Sequence, residues 1–90
     1  MTTLPADVHS SLSQLLSNAT ADARDGDADA VAGLVESIES VTINKVPDGA
    51  LRERLLHGCA EVDGLVESDP EVAAEYLRSM GRLVDQAEPS

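Results

Sequence analysis

The chain has 90 residues, 17 of them acidic and six basic, for a formal net charge of −11 at pH 7. So negative a field repels phosphate backbones and argues against unaided nucleic-acid binding, and a single cysteine excludes an internal disulfide. The length suits one domain, 1–90, with a small core of Leu, Val and Ala, because Phe and Trp are absent and Tyr76 is the sole aromatic residue.

The opening run "MTTLPADVHSS" lacks the basic region and apolar stretch of a signal peptide. The first predicted helix covers residues 5–24. Val8, Leu12, Leu15, Leu16, Ala19 and Ala23 recur at three- and four-residue steps and so share one face. Pro5 is tolerated in a first turn, and Gly26 suits the left-handed position that follows a helix.

The second predicted helix covers 28–43, capped by Asp25 or Asp27, with Val31, Leu34, Val35, Ile38 and Val41 as its stripe. Pro47 forbids its continuation. The third covers 49–67, with Asp48 as the expected cap and Leu51, Leu55, Gly58, Val62, Leu65 and Val66 facing the core. In "ESDPEV", Asp69 is the expected cap of a fourth helix over 70–86, with Pro70 at its first position. Its stripe is Ala73, Tyr76, Leu77, Met80, Leu83, Val84 and Ala87, and "EPS" reads as a frayed tail.

No segment alternates with period two for long enough to predict a strand, and no apolar run approaches the ~20 residues of a membrane span. The predicted fold is therefore all-α: four antiparallel amphipathic helices, arranged as a four-helix bundle or as two stacked helical hairpins.

Candidate sites are few. The run "DARDGDADA" has the aspartates of a calcium loop, but with Gly26 at the glycine position Ala21, Ala23 and Ala32 fall on ligand places, so it reads as a capped turn. Glu53, His57 and Glu61 stand at i, i+4 and i+8 on one face of the third helix, a row that offers a metal three ligands or serves as a solvated face. Cys59 lies at the edge of the apolar stripe and reads as a small buried hydrophobe. Gly58 lies on the core side, where it would let another helix approach closely.

The run "NKVPDGALRERLLHGC", residues 44–59, gathers the only lysine and two of the five arginines of this acidic chain. Wound at 100° per residue, Arg52 falls on one flank of the core stripe, facing Asp48 one turn earlier, and Arg54 on the other. Lys45 precedes the helix. These cations are expected to orient the helical hairpin, or to meet an acidic group on a partner. Leu56 lies off the core stripe and His57 on the outer face, both candidate interface residues. Residues 10–21 of the first helix carry no charge, so its outward Ser10, Ser13, Gln14 and Ser17 offer a second copy a surface without carboxylates. Gln14 and Ser17 join Lys45, Arg52, Arg54, Leu56 and His57 as candidate interaction residues.

The same run, 44–59, resembles one in small, uncharacterised haloarchaeal proteins of similar length. The resemblance implies a haloarchaeal source and a helical domain of unknown function, and brings no catalytic or ligand residues with it. An excess of Asp and Glu over Lys is also similar to the composition of proteins from salt-loving archaea. In molar salt the Debye length is about 3 Å, so mutual repulsion of surface carboxylates is largely screened.

The sequence shows no phosphate loop, nucleophile elbow, paired-His metal motif or Cys-x-x-Cys. The expectation is a non-enzymatic protein-interaction or self-assembly module of a halophilic cytoplasm. It would act as a homodimer or with an unidentified protein partner, without cofactor, nucleic acid or membrane. The alternative is a divalent-metal or small-ligand-binding protein that uses the Glu53–His57–Glu61 face.

Overall fold

The computed structural model describes residues 3–89, with side-chain surroundings for 3–87. A short strand β1 (Thr3–Leu4) leads into α1 (Ala6–Arg24), followed by α2 (Ala28–Lys45), α3 (Ala50–Leu65), α4 (Pro70–Gln86) and a second short strand β2 (Glu88–Pro89). The helices pack in a closed ring, α1 against α2 and α4, and α3 against α2 and α4. This is the four-helix arrangement of the predicted all-α fold.

Local chemistry sets the helix ends. Gly26 takes φ +76° after α1, and Asp27 caps α2 by accepting from the Ala30 backbone N–H at 3.2 Å. The α2 helix runs through Ile43, Asn44 and Lys45, two residues past the expected end, because β-branched residues weaken a helix less than Pro47 stops it. Asp48 does not cap α3. Gly49, at φ +152°, holds the N-cap position, and the Asp48 carboxylate pairs with Arg52 instead. Asp69 is the N-cap residue of α4 and Pro70 opens the helix, but the Asp69 side chain makes no capping hydrogen bond. The α3 helix ends at Leu65, two residues short of expectation, where the chain turns through 66–69.

The core is aliphatic. Leu12, Leu16, Val31, Val35, Ile38, Leu55, Val62, Leu77 and Val84 are buried, with Cys59, Met80 and several alanines between them. Gly58 has the close-packing role its position implies: a Cβ built there would stand 2.5 Å from Met80 Sδ and 2.9 Å from Met80 Cγ. Thr42 is the one buried polar residue among the described side chains, and its hydroxyl donates to the Ile38 carbonyl at 2.7 Å.

The short terminal strands also depart from the sequence reading. The segment read as a frayed tail contributes Glu88 and Pro89 to a parallel pairing with Thr3 and Leu4. Two-residue strands carry no period-two signal to read. Buried Leu4 belongs to the core, so the segment before α1 is anchored by packing as well as by pairing. Among the described residues, no helix is long and apolar enough to cross a membrane.

Candidate functional site

The cations of residues 44–59 do not form one patch. Arg52 is bound to the turn: it pairs with Asp48, and its Nη2 donates to the Ile43 carbonyl at 3.5 Å, tying the start of α3 to the end of α2. Lys45 is exposed at the last position of α2, where a cation suits the helix dipole. Leu56 is half-buried and lies outside the main core cluster.

Arg54 and His57 face α4 instead. With Glu53, Gly58, Tyr76, Met80 and Leu83 they line a groove of about 330 Å³ between α3 and α4. Gly58 lowers the α3 side of this groove, and the half-buried Tyr76 and Leu83 supply its apolar α4 side. Arg54 makes no ion pair within 4.0 Å among the described residues, while His57 Nε2 lies 3.7 Å from Glu61 Oε1.

The Glu53–His57–Glu61 row does not form a metal site. Among the described residues, no three His, Cys, Asp or Glu side chains come together closely enough to hold an ion. The physical reason is the rise of the helix. Eight residues separate the two glutamates by about 12 Å along the axis, too far for both to reach one ion beside His57. His57 Nε2 lies near Glu61 Oε1, while Glu53 and His57 both line the α3–α4 groove.

A second and larger groove, about 510 Å³ and open to solvent, runs between α1 and α4. Here Ser17, one of the candidate interaction residues of the first helix, stands with Ser13 and Thr20 opposite Arg78, Gly81 and Arg82, and Arg24 closes one end. Gln14 is exposed on α1 outside this lining. Three of the six basic residues of the chain thus converge on one groove, although 54 residues separate Arg24 from Arg78. Sequence reasoning missed this cluster because it sought cations that are neighbours in the chain. The signal was present in Arg78 and Arg82 at i, i+4, on the flank of the α4 stripe that meets α1.

Cys59 is buried and free. Burial pushes its thiol up to about 12, and the nearby carboxylates of Glu39 and Asp63 push in the same direction. A thiol so disfavoured as thiolate is packing material, not a nucleophile.

A family model, a domain of unknown function designated DUF8101, matches residues 1–86. No curated protein and no solved structure matches the chain.

Proposed function

The chain belongs to the DUF8101 family, whose function is unknown, and we propose that it is a non-enzymatic self-assembly module in which two copies meet through the α3–α4 groove. The observation that carries this reading is the charge balance of an apolar surface. On a chain of net charge −11, most faces brought against a second copy would oppose carboxylates. The α3–α4 groove is lined mainly by apolar atoms, and its rim sets Arg54 against Glu53, with His57 beside them. Tyr76 supports the reading as an amphipathic anchor of the kind enriched at interfaces. A twofold contact would use the same patch on both copies. A standard interface takes about 800 Å² per partner, roughly a sixth of the 5058 Å² surface of this chain, so the contact would extend over the outer faces of α3 and α4. The setting proposed for it is a salt-rich cytoplasm, in which the acidic shell is screened.

Light scattering after size exclusion in potassium chloride tests the proposal. Wild-type protein should elute at twice the 9.4 kDa chain mass, with and without EDTA. Tyr76→Glu and Arg54→Glu should each return it to the mass of one chain while the helical circular dichroism is retained. The paired change Gln14→Glu with Ser17→Glu, on α1, should leave the dimer mass unchanged. A wild-type protein with the mass of one chain would sink the reading. A dimer lost only through the α1 variants would move the interface to that helix.

A further inference from the structure

We propose that the α1–α4 groove is a docking site for an acidic amphipathic helix of a partner protein, held by Arg24, Arg78 and Arg82. The surface is separate from the α3–α4 groove. On α4, Arg78, Gly81 and Arg82 line one side, whereas Tyr76, Met80 and Leu83 line the other.

The charge argument comes first. Three guanidinium groups stand in this groove against one lining carboxylate, that of Asp85, on a protein otherwise dominated by acids. Internal pairing does not account for them. Among the described residues, Arg24 and Arg82 make no ion pair within 4.0 Å. Arg78 reaches only 4.0 Å from Glu75, in an exposed i, i+3 pair. Glu71 and Glu75 line a smaller cleft beside Arg24, at the end of the groove, without closing on it. Arg24 also suits the C-terminal end of α1 through the helix dipole, but Arg78 and Arg82 stand in the body of α4 and have no such explanation. Arginine is always charged, and its planar fork matches a carboxylate in two parallel hydrogen bonds, so exposed guanidiniums along a groove can trade water for the carboxylates of a partner.

The shape selects a helix over a small anion. The groove is open along its length and does not enclose a ligand. From the level of Ser13 to that of Arg24 it follows α1 for eleven residues, about 16 Å at the helical rise. Arg78 and Arg82 are one turn apart, the spacing of Glu side chains at i, i+4 on a partner helix, about 5–6 Å. Leu16 and Leu77 give the groove an apolar floor, and Gly81 leaves it open, since a Cβ added there would meet nothing within 4 Å. The Ser13 hydroxyl oxygen is shut off from solvent without a hydrogen-bond partner among the described residues, an unused polar group on the α1 wall. A groove between two helices with an apolar floor and a charged wall is the setting in which an amphipathic helix docks.

Fluorescence anisotropy with a labelled, Ala- and Leu-containing helical peptide of about 15 residues, carrying Glu pairs at i, i+4, tests the proposal in about 0.1 M potassium chloride, where a Debye length of about 10 Å screens the distant carboxylates of the chain more than contacts in the groove. Wild-type protein should bind it, and added salt should weaken binding. The double variant Arg78→Gln with Arg82→Gln should weaken it at least about tenfold, the loss expected for two charge-assisted contacts. Gly81→Leu, which fills the groove without changing charge, should also weaken it, and Lys45→Gln, an exposed cation outside both grooves, should not. Absence of peptide binding to the wild type would overturn the proposal. So would a Lys45→Gln loss equal to that of the double variant, which would indicate general electrostatic attraction. Tripolyphosphate binding that depends on Arg78 and Arg82 while the peptide fails would replace the partner helix with a small polyvalent anion.

Discussion

At Cys59 burial and charge act on a single atom. The side chain is fully buried in the core, and the Glu39 and Asp63 carboxylates add to the cost of a thiolate there. Its pKa is raised from an ordinary 9.0 to about 12, so between these values the unfolded chain has released its proton and the folded chain has kept it. The unfolded state then binds fewer protons, and stability must fall as pH rises through this window, by at most about 1.4 kcal/mol per pH unit. Below the window the contribution is fully present. Cys59→Ala should cost stability at neutral pH through the small cavity it leaves, yet show a shallower alkaline decline. Urea midpoints of both proteins from about pH 8 to pH 11 check this, and the gap between them should narrow as pH rises. The same burial predicts that a thiol reagent labels native Cys59 slowly and urea-unfolded protein fast; fast labelling of the native chain would contradict its place in the core.

Two helical glycines show how differently one residue type acts within an element. Gly58 lets α3 approach α4, and the neighbour it admits is the buried Met80, whose Sδ would stand 2.5 Å from an added Cβ. Gly81 stands in α4 with open space around its missing Cβ. Alanine gains about 1 kcal/mol of helix propensity at either place. At Gly81 nothing opposes that gain, so Gly81→Ala should stabilise by about 0.5–1 kcal/mol. At Gly58 overpacking against a confined side chain costs about 1–3 kcal/mol, so Gly58→Ala should come out neutral to destabilising. Chemical denaturation of the two variants gives the comparison, and equal gains at both would mean that Met80 yields freely. The role of Gly58 was legible in the sequence, because a glycine on the core face of a helix points to close approach. So were the four helices, since Leu12, Leu16, Val31, Val35, Leu55, Val62, Leu77 and Val84 keep the helical period and are buried. The Asp48–Arg52 pair was legible too, as an i, i+4 relation. Gly49 at the start of α3 was not, because Asp48 satisfies the same cap preference and only the backbone shows which residue holds the position. The arginine groove was not legible for a deeper reason: it joins the first helix to the last, and no local pattern states which helices become neighbours.

Over the whole molecule the governing quantity is the spacing of charges relative to the screening length. Seventeen acidic residues on a surface of 5058 Å² leave one per about 300 Å², or about 17 Å between neighbours. At 0.01 M salt the Debye length is about 30 Å and each carboxylate feels several others; at 0.1 M it is about 10 Å and the repulsion is already mostly screened. Unfolding spreads the same charges apart, so repulsion weighs on the folded state and its relief should stabilise the protein. For a domain of this size each kcal/mol regained raises the melting temperature by about 4–8 °C. The melting temperature should therefore climb steeply with potassium chloride up to about 0.1–0.3 M and then level off, because by then the Debye length is well below the charge spacing. Chloride is the proper salt, since sulfate also strengthens apolar burial by its exclusion from the surface. Calorimetry at two protein concentrations separates this from salt-driven self-association, which alone makes the melting temperature depend on concentration. A melting temperature that keeps rising in proportion to salt into the molar range would mean that the acidic surface acts through solvation, not through relief of repulsion. A flat response would mean that Arg24, Arg78, Arg82 and the other cations already offset the carboxylates where it matters for folding.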